Sequence, residues 1–252
     1  RLLTWLDAGH VPFGVGAGKP LIADMAWFDE WQSRYGATFP WDARPASLPA
    51  ANLLIETIRS KPGQVSVLSL GPMTNLALAL RLDPGIVPLT RRVVVMGGSF
   101  NAQITEPEFN VRCDPEAAQI VLHAGWDVHI LGLDITRRVH FSRRDFASLP
   151  DGNPAVELLR TQAPGWIDRM EAMGWEQDGC ALHDAVAACY LVDESIFQVQ
   201  ESCVDVELVD PWRRGVTRFS QKTAGKPVVK AITDIEMEKD IINLMTDEGL
   251  SK

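Results

Sequence analysis

Residues 93–125 read VVVMGGSFNAQITEPEFNVRCDPEAAQIVLHAG, and the architecture of the chain follows from them. Val93 to Met96 is a short apolar, β-branched run of the kind that fills a parallel strand covered on both faces, and Gly97-Gly98 ends it. A loop follows, carrying Asn101, Gln103, Thr105, Glu106, Glu108 and Asn110. Asp114-Pro115-Glu116 then reads as an N-cap, a proline at the first helical position and an acid in the first turn, with Gly125 as the helix stop. A loop so placed leaves the carboxyl end of a strand, where open α/β sheets bind ligands. Glu108 and Asn110 alternate about Phe109, so on an extended backbone both point into one cleft. The pair suits a hydroxyl-rich ligand, since a carboxylate accepts from adjacent hydroxyls while an amide both donates and accepts. An ordinary solvated loop or a hydrogen-bonded loop scaffold would use the same residue types.

The flanking segments repeat the strand-then-helix alternation. Ala50 to Ser60 predicts a helix, Val65 to Leu70 a buried strand, and Met73 to Leu82 a helix that Asp83-Pro84-Gly85 terminates. Val128 to Leu133 predicts a further strand ending at Asp134. Short connections between such units imply a mostly parallel, Rossmann-like α/β sheet with helices on both faces. Upstream, Arg1 to Ala8 has helical spacing stopped by Gly9, and Val11 to Val15 predicts a short strand. The glycine-rich GVGAGKPL that follows fails the phosphate-loop pattern, because Lys19 precedes Pro20 rather than Ser or Thr. Asp24 to Trp41 is aromatic-rich without a clean period. Beyond Phe141 the pattern turns helical, over Pro154 to Gln162, an indistinct Trp166 to Trp175 segment, and Asp184 to Val192. Val204 to Val209 and Val216 to Ser220 predict a small antiparallel hairpin, followed by a strand over Val228 to Ile232 and a helix over Ile235 to Met245.

With 252 residues, 46% of them apolar, and no linker, the chain is expected to form one domain over residues 1–252. A net charge of −9 and scattered Arg pairs argue against nucleic acid as a partner. The four cysteines have no close metal spacing, so reduced thiols in a cytoplasmic protein are the expectation. No apolar run approaches the ~18 residues of a membrane span, and neither a membrane nor a signal peptide is expected.

A second polar focus is His183-Asp184, at the head of the apolar helix AVAACYLV. A carboxylate is favoured there by the helix dipole and a charged His is not, which marks the pair as a candidate site. A capping Asp beside a bystander His is the plainer alternative.

Five segments taken together carry a resemblance: LSLGPMTNLALALRLDP at 68–84, VVVMGGSF at 93–100, EFNVRCDPEAAQIVL at 108–122, LGLDITRRV at 131–139 and ALHDAVAA at 181–188. In this order and at these separations the chain resembles the nucleoside hydrolases, the calcium-dependent inosine-uridine-preferring family. VDVELVDPWRRGVTRFS resembles the family's late hairpin. The resemblance implies hydrolysis of the N-glycosidic bond of ribonucleosides to ribose and base, as in salvage, through a sugar cation like that of other glycosidases. It implies that Glu108, Asn110 and Asn101 bind ribose hydroxyls, that Met96 lines the sugar, and that His183 protonates the departing base. Asp184 and the backbone carbonyl of Leu70 would ligate Ca2+. Trp166 and Trp175 precede His183 in a segment that covers the base in this fold. An indole there would stack on a purine, although ordinary packing explains the same residues. A homodimer or homotetramer is the expected assembly.

The family's N-terminal Asp-rich cluster has no counterpart in the chain, which is therefore expected to lack its first strand and loop. Calcium takes about six to eight oxygens, so two carried-over ligands predict weak metal binding and low turnover. A non-catalytic nucleoside- or ribose-binding protein, or an inactive fragment, is the alternative those two ligands leave open.

Overall fold

The computed structural model describes residues 3, 6–22, 48–100 and 106–236. The aromatic segment at 24–41, Asn101, half of the predicted helix at 1–8 and most of that at 235–245 lie outside the described residues. In chain order the elements begin with α1 (Ala50–Ser60), β1 (Ser66–Ser69), α2 (Thr74–Leu82) and β2 (Arg92–Met96). Then come α3 (Phe109–Cys113), α4 (Pro115–Leu122), β3 (Val128–Leu131) and α5 (Leu133–Thr136). They continue with β4 (His140–Ser142), α6 (Arg143–Ser148), α7 (Pro154–Ala172), β5 (Gly179–Ala181) and α8 (His183–Val192). The last are β6 (Phe197–Val206), β7 (Thr217–Gln221) and β8 (Val229–Ile235).

These elements fall into two compact units, one of residues 13–134 with 198–234, the other of residues 1–12, 135–197 and 235–252. The larger unit is built on a six-stranded sheet in the order β1-β2-β3-β8-β6-β7. Pairing is parallel from β1 through β8, with Val94 opposite His129 and His129 opposite Lys230, and antiparallel between β6 and β7. The predicted hairpin is therefore the far edge of the main sheet. Val93 to Met96 and all of β3 are buried, as expected of strands covered on both faces, although β3 carries His129 within its apolar run. β1 is half-buried at every residue, because among the described residues it pairs on one side only. Ile58, Leu76, Ala77, Val121 and Leu122 of α1, α2 and α4 pack with Val93, Val95 and Ile130 in one core. Each such fully buried aliphatic side chain contributes about 1.5–3 kcal/mol.

Two sequence expectations change. Val15 makes only an isolated bridge to Pro49 where a strand over Val11 to Val15 is predicted, since Pro12 cannot donate and Gly14 weakens the run. The separate segments predicted over Pro154 to Gln162 and Trp166 to Trp175 are one helix, α7, which continues through Pro164. Its buried Val156, Ala163, Ile167 and Met170 recur at helical spacing, and that packed face outweighs the proline.

The smaller unit has its own core of Phe141, Phe146, Val156, Ile167 and Cys180 under the two-stranded β4–β5 sheet, which the sequence reading does not anticipate. Among the described residues, no helix is long and apolar enough to cross a membrane.

Candidate functional site

In the larger unit the loop after β2 ends at Glu108, which is extended (φ −63°, ψ 148°) and N-caps α3. The expected extended run over Glu108 to Asn110 is thus replaced by a cap and a first helical turn, because the carboxylate captures the orphan amides of the helix start. Oε1 accepts from Asn110 N (2.9 Å), while Oε2 accepts from Val111 N (3.1 Å) and Gly98 N (3.3 Å). Glu108 and Asn110 are both buried and Phe109 is turned outward, so the two polar side chains still share a side. The Asn110 Nδ2 donates to the Met96 carbonyl (3.2 Å) and lies 3.5 Å from its sulfur, and Oδ1 makes no hydrogen bond among the described residues. Met96 is itself buried at the end of β2.

The loop is anchored from two further directions. Asp134 Oδ1 accepts from Ser99 Oγ (3.1 Å) and Phe100 N (2.8 Å), and Ser99 N donates to Thr217 Oγ1 (2.9 Å). Gly98 has φ +72°, and a Cβ there would sit 2.9 Å from Thr217 Oγ1, so glycine is needed on both counts. Asn101, the next polar residue, lies outside the described residues.

Asp114 does more than cap α4. Fully buried, it accepts from Ala117 N (3.1 Å), Thr74 Oγ1 (2.6 Å) and Leu21 N (2.9 Å), tying Leu21 and the start of α2 to the junction of α3 and α4. The sequence shows the cap but gives no signal for the other two partners, which lie 40 and 93 residues away. Leu70 is exposed just after β1, in the turn where Ser69 Oγ donates to the Gly71 carbonyl (3.4 Å).

In the smaller unit His183 is the first residue of α8, half-buried, with its Nδ1 2.7 Å from Thr136 Oγ1. Burial, and then the nearby Arg137 charge, push the imidazole down to about 4. Asp184, in the first turn, makes no hydrogen bond or ion pair among the described residues, and partial desolvation raises its carboxyl above the usual range. Trp166 and Trp175 are both exposed, with the Arg169 guanidinium 5.9 Å from the Trp166 ring centroid. Thr136, fully buried, is the partner that the sequence does not assign to His183. No cluster of three or more His, Cys, Asp or Glu suited to a metal occurs among the described residues.

The sequence profile of the inosine-uridine preferring nucleoside hydrolases matches residues 1–240. The pyrimidine-specific ribonucleoside hydrolase RihA of Citrobacter koseri is 30% identical over 94% of this chain and 79% of its own length. RihA of Escherichia coli O9:H4 is 30% identical over 98% and 82%. Among solved structures, the plant nucleoside hydrolase PpNRh1 is similar with a TM-score of 0.83 at 26% identity, over 98% of this chain and 82% of that one. The purine-preferring ribonucleoside hydrolase from Gardnerella vaginalis shares the fold with a TM-score of 0.83 at 22% identity, over 97% and 82%.

Proposed function

Since the chain belongs to the inosine-uridine preferring nucleoside hydrolase family, and is thus an N-ribohydrolase acting on N-glycosyl bonds, we propose how its residues divide the reaction. Glu108 and Asn110 bind hydroxyls of the ribose, with Met96 beside the sugar and Asn101 as a further amide. His183 is the acid toward the departing base. With its pKa near 4 the ring is neutral at pH 7, so it acts as an N–H donor to the base nitrogen that gains electrons as the bond breaks. The sugar is left cation-like, and water completes the hydrolysis.

The observation that carries this reading is the buried Glu108 carboxylate paired with Asn110 behind β2, in a chain matching the family over residues 1–240. The test is ribose release from inosine, uridine and p-nitrophenyl riboside with added calcium. Glu108→Gln and Asn110→Ala are each expected to lower kcat/KM by about 100-fold or more, as for lost transition-state contacts. Release unaffected by either change would remove both from the sugar site, and no release at all would favour a binding-only protein.

Calcium is the metal the family resemblance implies, with Asp184 and the Leu70 carbonyl as ligands that would orient and acidify water when the ion is bound. The fit is incomplete. Two oxygens fall well short of the roughly six to eight that calcium takes, and the described residues hold no further acidic cluster. No step above is therefore routed through the metal, and the assay with and without calcium measures how far the reaction depends on the ion.

Trp166 and Trp175 are proposed to border the base. Purine preference, which indole stacking favours, stands against the pyrimidine specificity of the RihA relatives. A kcat/KM higher for uridine than for inosine would remove the stacking role. The family resemblance also supports a homodimer or homotetramer and a cytoplasmic site of action.

A further inference from the structure

We propose that Thr136 is a positioning residue for His183: its hydroxyl donates to Nδ1 and so holds the ring in the tautomer that carries its proton on Nε2. The inference rests on the reading of His183 as the acid, and it adds the group that keeps that acid in working form.

The argument is one of hydrogen-bond accounting. Thr136 Oγ1 and His183 Nδ1 are 2.7 Å apart, the distance of a good hydrogen bond. Either atom can donate. If Nδ1–H donated, the hydroxyl proton would need another acceptor, yet Thr136 is 0% exposed and makes no other hydrogen bond among the described residues. A buried donor left unsatisfied is costly, whereas a hydroxyl that donates to Nδ1 satisfies both groups at once. The ring's second nitrogen, Nε2, has no partner among the described residues and must then carry the proton. The main chain holds the two partners firmly: Thr136 ends α5, His183 begins α8, and Leu182 N donates to the Val139 carbonyl (3.0 Å) between them. Without the hydroxyl the ring is free to place its proton on Nδ1, where it is useless to a leaving group bound at Nε2.

The test combines 15N NMR of the imidazole rings at neutral pH with kinetics of Thr136→Val, which keeps the shape, and Thr136→Ser, which keeps the hydroxyl. His183→Gln assigns the ring signal among the five histidines. The wild-type ring is expected to show Nδ1 as the bare nitrogen and Nε2 as the protonated one, and Thr136→Val to move both shifts toward a tautomer mixture. Thr136→Val is expected to lower kcat for inosine or uridine by about tenfold or more while p-nitrophenyl riboside, a good leaving group, loses far less, and Thr136→Ser to restore most of the loss. A wild-type ring protonated on Nδ1 would overturn the proposal without reference to activity or to the folding of Thr136→Val, and ring shifts unchanged in a folded Thr136→Val would overturn it as well. Equal losses on both kinds of substrate in His183→Gln would overturn the acid reading instead. A selective loss in His183→Gln with none in Thr136→Val would overturn the positioning role alone.

Discussion

Glu108 spends at least three of the roughly four acceptor positions of a carboxylate on backbone amides, Gly98 N, Asn110 N and Val111 N. At most one position remains for a ligand, so the carboxylate cannot straddle two adjacent hydroxyls as the sequence suggests. The expected result is unequal: in a cycle of Glu108→Gln against 2′-deoxy and 3′-deoxy nucleosides, coupling of about tenfold or more should appear with one analogue and not the other. Equal coupling to both would show that the capping hydrogen bonds give way on binding. The Glu-x-Asn pair was legible as a polar pair sharing one side, because Phe109 separates them. The cap was not, because nothing in EFN distinguishes an extended run from a helix start once Asp114-Pro115 supplies a stronger start signal just downstream. Thr136 stayed hidden for a different reason: its partner is 47 residues away, and a threonine at a strand end is common.

Among the elements, α7 shows where local signals mislead. Pro164-Gly165 reads as a break, and Pro164 cannot donate the hydrogen bond that would close its turn. The helix persists because Ile167 and Met170 continue the buried face begun by Val156 and Ala163. Pro164 is exposed, so nothing in the packing needs its ring. Pro164→Ala is therefore expected to stabilise the protein by about 1–3 kcal/mol, read as a raised urea midpoint with unchanged slope. A lowered midpoint would mean that the proline serves the helix in its present place. β2, by contrast, was legible almost to the residue, since Val93 to Met96 leaves no polar face to mistake, whereas β3 stops at Leu131 short of its predicted end at Leu133 and β8 runs on past Ile232 to Ile235, where a helix start is predicted.

The molecule as a whole carries a charge of −9, and the larger unit buries one histidine against that background. His129 lies 3.2 Å from Asp127 and 3.4 Å from the Lys230 ammonium. Desolvation holds its pKa below the ordinary 6.5; Asp127 opposes this and the Lys230 and Arg92 charges assist it. Well above pH 6.5 the group is neutral in both states and contributes no pH dependence. As pH falls below that value the unfolded chain takes up the proton first, so stability is lost with acid. Urea midpoints at about pH 7.5 and 5.5 should fall more for the wild type than for His129→Gln, and an identical fall would assign the acid limb to other groups. The order of the sheet has a further consequence, in time rather than energy. β8, last of the described strands, lies between β3 and β6, so among the described strands the β6–β7 ribbon is hydrogen-bonded into the sheet only through a strand synthesised after it. On the ribosome the parallel core can form early, but β3 keeps an open edge, and until residue 235 emerges the ribbon is held outside the sheet ladder, by contacts such as Thr217 with Ser99 N and Val206 N with Gln119. The protein thus completes its sheet from the middle, with β8 as the strand that joins the parallel core to the ribbon.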